Sequence, residues 1–384
     1  MPWDERTRMD QRVRFIAALD SCEYTMTELC QAFGISRKTG YKWAKRYGEE
    51  GIQGLEDRSR RPQRCPHRTD RRCEEALIAE RQKHPLWGAK KLLDVLARRH
   101  PGWPWPAPST GGAILKRHGL VKPRRRRRRS APPSKPVLEA RHPNEVWTAD
   151  FNGEFRLGDR QLCYPLTVAD RMSRFLLGCR GRSSVATLGA RAVFERLFAD
   201  YGLPIKMLTD GGVPFASPRS VRRLSRLSVW WIKLGIEPVL IEPGHPEQNG
   251  CHERMHRTLK ATTARPPASC MRAQQRSFNR FRTEYNEERP HEGLGMKRPA
   301  ELYRASSRPY PGRTPEVDYP GHYEVRSVRS KGAIQWHGER LFVSEALRGE
   351  RVGLEETDDG IWSLSFCSLL LGRYDERDRS LDLL

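Results

Sequence analysis

The chain has 384 residues and a formal net charge of +23, from 70 Lys and Arg against 47 Asp and Glu. A surplus of this size predicts a polyanionic partner, and nucleic acid is the natural one. The 37% of hydrophobic residues suffices for several modest cores but supplies no membrane span. Nine irregularly spaced cysteines and a charged first segment favour a reduced, cytoplasmic setting over secretion.

Residues 1–60 are predicted to form a helix-turn-helix domain. In MTELCQAFGISRKTGYKWAKRYG, Gly34 turns the chain and Ser36 caps a second, basic helix. That helix is expected to enter the major groove of double-stranded DNA. Its predicted DNA contacts are Arg37, Lys38, Thr39, Lys42, Lys45 and Arg46. Tyr41 and Trp43 are expected to pack in the core, and the alternative is an ordinary helical hairpin with a basic outer face.

A second helical DNA-binding module is predicted over 72–121, joined to the first by a basic linker at 61–71. Ser109 is the expected cap of its last helix, whose Lys116 and Arg117 are expected DNA contacts. Residues 122–143 form a further linker, because six consecutive arginines repel one another and the following prolines keep the segment extended. Those arginines, expected to contact phosphates or the minor groove, are Arg124, Arg125, Arg126, Arg127, Arg128 and Arg129.

The next part of the chain alternates strand-like and helix-like segments, which predicts a mixed sheet flanked by helices. Strands are predicted at 145–151, 161–169, 174–180, 205–209 and 236–241, with helices over SSVATLGARAVFERLFADYG and near 220–235. The apolar face of the first helix is predicted to carry Val185, Leu188, Ala192, Phe194, Leu197 and Phe198.

Three acidic residues stand out in this region because of their settings. Asp150 ends the strand-like run EVWTAD and Asp210 ends PIKMLTD, the positions at which open α/β sheets place their chemistry. Glu253 follows the turn PGHPEQNG at the start of a predicted helix. Three convergent carboxylates can hold two divalent metals, Mg²⁺ or Mn²⁺, and cut a phosphodiester. Asp170 also ends a strand-like run, but Arg171 and Arg174 beside it suggest a paired surface acid.

These strings resemble the catalytic core of DDE-type transposases of bacterial insertion sequences, which are relatives of retroviral integrases. The matching motifs are WTAD, LTDGGVPFAS and GHPEQNGCHERMHRTLK, and YNEERPHEGLGMKRPAELY looks like the segment that usually follows. The resemblance implies a ribonuclease-H-like integrase core with its following helical segment at 144–305. It also implies a transposase that binds the terminal inverted repeats of its element and cleaves and joins DNA as a dimer or larger assembly.

The same resemblance implies roles for the acids: Asp150 bridges both metals, while Asp210 and Glu253 each hold one. After Glu253, Arg254, Arg257 and Lys260 are expected to contact DNA, with solvated helix charges as the alternative. One departure is Gly211, where the family commonly has Asn.

Residues 313–384 carry 10 basic and 14 acidic side chains and contain several short β-prone stretches. They are predicted to form a small β-barrel. Its net negative charge favours contact with protein over contact with DNA.

Two other functions are open from the sequence. The first is an integrase-like DNA-binding protein or regulator with weak catalysis, for which Gly211 is the motivation. The second is a zinc metalloprotease, because His252, Glu253 and His256 spell H-E-x-x-H. That signature requires a third zinc ligand, and no matching later motif is present.

Overall fold

A computed structural model describes residues 8–58, 68–122, 138–218, 220–242 and 245–384, except the side chains of 246 and 247. The chain divides into two compact units, Met1–Arg68 and Thr69–Leu384. Within the described ranges, no helix combines the length and apolar character needed to cross a membrane. The element order is that of helical N-terminal modules, a mixed α/β core and a C-terminal all-β part, as predicted.

The first unit is the predicted helix-turn-helix. Its helices are α1 (Arg8–Asp20), α2 (Met26–Ala32) and α3 (Arg37–Glu50). The Ser36 hydroxyl accepts the Thr39 amide hydrogen at 3.3 Å, which caps α3 as expected. Gly34 adopts a φ of +64°, a backbone conformation that glycine takes without steric cost, and so makes the turn.

The packing of α3 corrects one prediction. Trp43 is buried with Phe15, Leu29 and Leu55, as expected. Tyr41, predicted to pack in the core, is 54% exposed. A single narrow stripe of α3 cannot bury both Tyr41 and Trp43, because residues two positions apart on a helix point about 200° away from each other.

The second unit begins with the predicted second helical module. Its helices are α4 (Arg71–Lys83), α5 (Ala89–Arg99) and α6 (Pro108–Arg117), around a small core of leucines and Trp87. The expectation for Ser109 was wrong: α6 is capped at Ala107 and starts with Pro108, so Ser109 lies inside its first turn. Proline suits this first position because the missing N–H would have no helical partner.

A mixed β-sheet forms the centre of the second unit. Its strands are β1 (Val146–Phe151), β2 (Phe155–Arg156), β3 (Leu162–Asp170), β4 (Leu176–Arg182), β5 (Lys206–Thr209) and β6 (Glu237–Leu240). The main order is β4-β3-β1-β5-β6, with β2 on the start of β3. β1 runs antiparallel to β3 and parallel to β5, and β5 runs parallel to β6. The sheet is the predicted ribonuclease-H-like one, and β2 is the strand that the sequence pattern missed.

One face of the sheet is covered by α7 (Thr187–Tyr201) and α8 (Arg226–Lys233). The buried face of α7 carries Ala190, Val193, Phe194, Leu197 and Phe198. The predicted face was partly wrong, because Leu188 is 84% exposed and Ala192 is also exposed. α8 begins later than predicted, since the preceding residues form a tight turn in which Arg222 and Arg223 have positive φ.

The opposite face is covered by α9 (Gly250–Thr263) and α10 (Met271–Thr283). α10 continues as a single π-helical turn, Glu284–Glu288, and the short α11 (Pro299–Leu302) follows. The contacts that fix α9 on the sheet are made by Met255 and Leu259. This packing sets which side chains of α9 point toward the ends of β1 and β5.

The C-terminal part is a small all-β domain, as predicted. Its strands are β7 (Glu324–Ser327), β8 (Ala333–Trp336), β9 (Glu339–Phe342), β10 (Arg351–Asp358), β11 (Ile361–Phe366), β12 (Leu369–Asp375) and β13 (Ser380–Leu383). Hydrogen bonding divides it into a five-stranded antiparallel sheet, β13-β12-β11-β10-β7, and the hairpin β8-β9. Its core also includes Val221, Leu224, Val229 and Ile232, so the domain packs directly on the α8 segment.

Two leucines on α7 give a matched test of this packing. Leu197 is 4% exposed in the main core, whereas Leu188 is 84% exposed on the same helix. We expect Leu197→Ala to lower the free energy of unfolding by about 2–5 kcal/mol through lost burial and a residual cavity. Leu188→Ala should change it by less than about 0.5 kcal/mol. Urea unfolding followed by circular dichroism measures both, and equal effects would contradict the observed face of α7.

Candidate active site

Asp150 lies near the end of β1, the central strand of the mixed sheet. It pairs in register with Thr167 of β3, and its side chain is 23% exposed. Residues 146–149 of β1 are buried, because the neighbouring strands on both sides and the helices on both faces cover them. A carboxylate is therefore held at the edge of a rigid apolar layer with limited access to water.

Asp210 comes directly after β5, which lies parallel to β1. The carboxyl ends of parallel neighbours meet at one edge of a sheet, so both aspartates lie at the same edge. Asp210 is exposed, and its Oδ1 accepts the backbone N–H of Gly212 at 3.2 Å. That bond fixes the carboxylate to its own turn.

Glu253 lies in the first turn of α9. Its side chain is exposed, whereas His252, Met255 and His256 on the same helix are buried against the sheet. The helix thus has an inner apolar and imidazole face and an outer face that begins with the glutamate.

The three carboxylates influence one another electrostatically. Burial raises the pKa of Asp150 to about 7, and the negative charges of Asp210 and Glu253 raise it as well. A hydrogen bond from the Phe151 amide and the charge of Lys260 act in the opposite direction. Burial and like-charge repulsion both disfavour the ionised form, and a bound cation relieves the repulsion.

The described residues contain no group of three or more His, Cys, Asp or Glu side chains already arranged around one metal position. Asp150 is instead coupled to each of the other two acids. Mg²⁺ commonly takes one or two protein carboxylates and completes its shell with water and substrate phosphates. Carboxylate oxygens are the donors that this ion prefers, so the donor set fits Mg²⁺ or Mn²⁺.

Behind Asp150 lies a buried pair of histidines. Nε2 of His252 and Nε2 of His256 lie 2.7 and 2.6 Å from the Thr167 hydroxyl, and Nδ1 of His252 lies 2.7 Å from the Thr148 hydroxyl. Nδ1 of His256 lies 3.5 Å from Oδ2 of Asp150. Burial lowers the pKa of His252 to about 3 and that of His256 to about 2, so both rings are neutral at physiological pH.

This network gives a structural role to the H-E-x-x-H string. Both nitrogens of His252 are engaged by threonine hydroxyls, which leaves no free lone pair for zinc. Glu253 points outward, away from the two rings. The two histidines instead link α9 to β1 and β3 beneath the acidic residues, an arrangement that the motif alone did not reveal.

Asp170 differs from the sequence-based interpretation. It is buried, not a surface acid paired with arginine. Its oxygens accept hydrogen bonds from the Asn144 amide at 2.7 Å, the Ser173 amide at 2.8 Å and the Ser173 hydroxyl at 2.5 Å. A buried carboxylate needs such partners, and these tie together the loops at the other end of β1.

Gly211 lies beneath an arginine side chain. Arg223 Nη2 donates to the Gly211 carbonyl at 3.2 Å, and a Cβ at position 211 would meet the Arg223 guanidinium. The left-handed turn that carries Arg223 is tied to the C-terminal domain, since the Arg222 amide donates to the Leu384 carbonyl at 3.1 Å. A cation from the α8 turn therefore occupies the space next to Asp210 that an Asn side chain would need.

The basic residues after Glu253 lie on α9 as predicted, with Arg254 and Arg257 exposed. Lys260 is near the acids: its charge lowers the pKa of Asp150, and its Nζ lies 3.3 Å from the position of a Cβ on Gly153. The surface beside the acidic cluster is therefore cationic, which suits a phosphate backbone.

The side chains of the helix-turn-helix that were predicted to contact DNA differ in how freely they could reach it. Arg37, Lys38 and Lys42 are exposed, although Lys42 Nζ lies 4.2 Å from the Trp43 ring centre. Lys45 is exposed near Glu49, and Arg46 is half-buried over Trp43. The Thr39 hydroxyl bonds Ser36 at 2.9 Å, so capping occupies it.

In the second module Lys116 and Arg117 are exposed, and Arg117 lies 3.6 Å from Glu74. The arginine run Arg124 to Arg129 and most of the 61–71 linker lie outside the described residues.

Family models match most parts of this architecture. The description "Integrase core domain" matches residues 140–246 and again 234–299. "Helix-turn-helix domain" matches 11–63 and "Homeodomain-like domain" matches 39–115. "IS481 family transposase, C-terminal domain" matches 323–382. The resemblance to insertion-sequence transposases with an integrase-like core is confirmed, and helix-turn-helix and homeodomain-like domains precede that core.

Two curated relatives come from bacterial insertion elements. An uncharacterized 39.2 kDa protein of insertion element IS476 from Xanthomonas euvesicatoria is 27% identical over 65% of this chain and 69% of its own length. An uncharacterized 31.7 kDa protein of insertion element IS407 from Burkholderia multivorans is 27% identical over 49% of this chain and 66% of its own length.

Solved structures with a similar chain path include retroviral integrases. The HTLV-2 integrase catalytic core domain in complex with magnesium, in its trimeric form, is 14% identical, with a TM-score of 0.35 over 43% of this chain and 100% of that one. A simian T-cell lymphotropic virus intasome in complex with PP2A regulatory subunit B56 gamma is 16% identical, with a TM-score of 0.38 over 77% of this chain and 97% of that one. The functional argument rests on the site geometry and the family models.

The raised pKa of Asp150 has a consequence for stability without metal. Between pH of about 4 and 7 the folded chain keeps a proton that the unfolded chain has released, so this group lowers stability as pH rises. We expect Asp150→Asn, in the presence of a chelator, to be about 1–3 kcal/mol more stable than the unaltered protein at pH 8 and to differ less at pH 5.

Urea unfolding at the two pH values measures this difference. Asp200→Asn is the matched control, because Asp200 pairs with Arg196 on an exposed helix surface. A stability gain of Asp150→Asn that is the same at both pH values would contradict the assigned burial and repulsion.

Proposed function

We propose that this chain, an insertion-sequence type of transposase protein with an integrase-like core, binds the terminal inverted repeats of its element and inserts them into target DNA. The observation that carries the proposal is geometric: Asp150 near the end of β1 and Asp210 directly after the parallel β5 lie at one edge of the sheet, and Glu253 lies in the first turn of α9, which packs on that sheet. Cationic side chains flank that edge. Helix-turn-helix domains and a formal net charge of +23 supply the means to hold DNA.

In this proposal, Asp150, Asp210 and Glu253 would hold Mg²⁺ or Mn²⁺ ions. When bound, these ions would supply Lewis-acid stabilisation of the attacking and leaving oxygens. The protein contributes a rigid position for each carboxylate. β1 fixes Asp150, the Gly212 amide fixes Asp210, and the packing of α9 fixes Glu253.

The reaction has two displacements at phosphorus. Water attacks the scissile phosphate at the element end, and the 3′-oxygen leaves as a free 3′-hydroxyl. That hydroxyl then attacks a phosphate of target DNA, which joins element to target and releases a 3′-hydroxyl of the target. No covalent bond to the protein forms in either step, so the acids and their basic neighbours act by positioning and charge stabilisation.

His256 has a positioning role in this scheme. It lies between Thr167 and Asp150, and its neutral ring limits the orientations open to that carboxylate. Side chains in this position behind a metal ligand typically affect metal affinity by 10–100-fold. The neutral state matters, because a protonated imidazole would pair with Asp150 and compete with the cation.

Two element ends must meet in one complex before they are joined. We therefore include self-association, as a dimer or larger assembly, with double-stranded DNA of both the ends and the target as partners. The acidic C-terminal domain, with 10 basic against 14 acidic side chains over 313–384, is suited to protein contact within that assembly.

The second candidate function is DNA binding without strand transfer, and Gly211 is the observation that favours it. Under the main proposal the Arg223 guanidinium beside Asp210 takes the space of the missing Asn side chain. Gly211→Asn would displace that guanidinium. A gain of strand transfer in Gly211→Asn from an inactive parent would support the second candidate, whereas an active parent contradicts it.

Strand transfer of a labelled, precleaved element end into plasmid DNA tests the main proposal. We expect product with Mg²⁺ or Mn²⁺ from the unaltered protein, and at least about a hundredfold less from Asp150→Ala, Asp210→Ala and Glu253→Ala, because each removes a charge needed in the transition state. Binding of the end should persist in all three. Binding without product from the unaltered protein, with either metal, would overturn the proposal.

The role of His256 has its own test. We expect His256→Ala to raise the Mn²⁺ concentration needed for half-maximal strand transfer by about 10–100-fold, with a smaller change at saturating metal. Thr262→Ala is the control, since Thr262 is exposed on the same helix and bonds only the Thr258 carbonyl. An unchanged metal requirement in His256→Ala would show that the imidazole does not position Asp150.

A further inference from the structure

A second cationic site lies within the Thr69–Leu384 unit, between the second helical module and the core. A cavity of about 160 Å³ is lined by Lys91 of α5, Arg254 of α9, Arg174, Arg289, Tyr285 and His291. That volume far exceeds the roughly 10–15 Å³ that one water requires. We propose that this cavity binds a backbone phosphate of the DNA strand that enters the active site, an inference that rests on the proposed function.

Three of the cavity's four cations, Lys91, Arg174 and Arg289, are half-buried, and Arg254 is exposed at its rim. Throughout the described ranges, none of Lys91, Arg174, Arg254 and Arg289 forms an ion pair within 4.0 Å. Nε of Arg289 is buried and has no hydrogen-bond acceptor. Elsewhere in this module cations are paired, as in Arg98 with Asp94 at 3.0 Å and Arg99 with Glu80 at 2.9 Å.

Nearby acids neutralise these cations only in part. The charge of Glu292, which lines the cavity, acts to raise the pKa of Lys91, and the charge of Glu284 acts to raise the pKa of Arg289. Glu284 also bonds His84 at 3.2 Å, so it is shared with the helical module. His291 contributes no charge, because burial and the neighbouring cations lower its pKa to about 3. Burial lowers the pKa of Lys91 to about 8, and the positive charges of Arg289, Arg174 and Arg254 also lower it. Cations held together in this way repel one another, and an anion removes that cost.

The cavity is preformed, because contacts between side chains fix both of its walls. Arg98 joins α5 to the core through Glu301 at 3.1 Å, and His84 joins α4 to Glu284. The Arg289 guanidinium lies 5.9 Å from the Tyr285 ring centre, and the Arg174 guanidinium covers Gly293, where a Cβ would meet it. Arginine forks held by packing suit the oxygens of a phosphate group.

The position of the cavity indicates that the bound phosphate belongs to the DNA backbone. Arg254 directly follows Glu253 on α9, so the cavity lies next to the acidic edge of the sheet. Lys91 belongs to a helical module matched by the description "Homeodomain-like domain", and the proposed function assigns that module to DNA. A strand that reaches Glu253 therefore passes within reach of charges from both the helical module and the core. Free phosphate offers the same oxygens, and the experiment separates the two sources.

The test measures binding of a labelled duplex element end by fluorescence anisotropy in chelator, so catalysis does not enter. We expect Lys91→Gln, Arg174→Gln and Arg289→Gln each to reduce the slope of log affinity against log salt by about 0.9 and to weaken binding about tenfold at 0.1 M salt. Arg196→Gln, which removes the same charge from an exposed pair with Asp200, should match the unaltered protein. Slopes equal to that control would overturn the proposal.

Thermal unfolding without DNA at low salt checks the fold of each variant. Removing one of several clustered cations should leave the melting temperature unchanged or higher. If a glutamine variant has a lower melting temperature, Arg174→Lys and Arg289→Lys separate the two explanations. These variants keep the positive charge, so they should keep the slope of log affinity against log salt of the unaltered protein. Loss of binding in the lysine variants, together with lower melting, would assign these residues a packing role and overturn the proposal.

Three further outcomes are separable. If inorganic phosphate stabilises the unaltered protein but not Lys91→Gln, while DNA slopes stay equal, the cavity serves free phosphate and the DNA assignment is wrong. If the slopes fall as expected but the unaltered protein gives no strand transfer, the proposed function fails and the phosphate site stands. Strand transfer by the unaltered protein with unchanged slopes in the variants contradicts the cavity proposal alone.

Discussion

The second unit holds the Asp150 carboxyl group in a position that disfavours its negative charge, although the group must ionise to bind a cation. The central strand buries most of the side chain, and the nearby Asp210 and Glu253 add repulsion, which together raise its pKa to about 7. Such an arrangement lowers the stability of the folded chain unless a cation or proton is present. The surrounding elements explain how the fold tolerates it: helices cover both faces of the sheet, and the neutral His252 and His256 fill the space beneath the carboxylate.

The same physical pattern recurs in the cation-lined cavity, with the sign reversed. Lys91, Arg174, Arg254 and Arg289 are held without ion-pair partners among the described residues. Acids that repel one another attract cations, and bases that repel one another attract phosphate. Because Glu253 and Arg254 are consecutive on α9, that one helix contributes to both sites and couples their positions. Under the proposed function, nucleic acid with its divalent ions would relieve both kinds of repulsion together.

The C-terminal domain also contributes to the active-site edge. Its core takes in Val221 and Leu224, and its last residue accepts a hydrogen bond from Arg222. Those contacts hold a turn in which Arg222 and Arg223 adopt positive φ, a conformation that non-glycine residues rarely take. The turn directs the Arg223 guanidinium over Gly211, beside Asp210. Gly211, at the position where the resembled family commonly has Asn, is thus contacted by Arg223, which lies 12 residues later along the chain.

Much of this architecture could be predicted from the sequence. The strands that carry Asp150 and Asp210 followed from short apolar runs that end in acids, and the helix of Glu253 followed from the turn residues before it. Predictions failed where tertiary packing decides the outcome. Leu188 fits an apolar helical face by period but lies before the part of α7 that meets the sheet, and Tyr41 points away from the core that buries Trp43. Asp170 looked paired with arginine, although backbone amides satisfy it.

One of the cavity's cations, Arg254, had a signal in the sequence, since it was expected to contact DNA because it follows Glu253 on a helix. Lys91, Arg174 and Arg289 are distant in sequence and not distinctive among the 70 Lys and Arg of the chain, so their convergence could not be predicted. The histidine pair did have a signal, the H-E-x-x-H string, but the string describes spacing on a helix and not what the helix packs against. Burial against Thr148 and Thr167 decides that the rings support the site instead of binding zinc.

The proposed reaction requires Asp150, Asp210 and Glu253 to bind divalent ions together when DNA is present. Electron paramagnetic resonance of Mn²⁺ added to the complex of the protein with an element end tests this binding, because the method counts bound and free Mn²⁺ separately. We expect two tightly bound ions per active site, and a loss of both in Asp150→Ala with the DNA still bound. Equal Mn²⁺ binding by the unaltered protein and Asp150→Ala would contradict it.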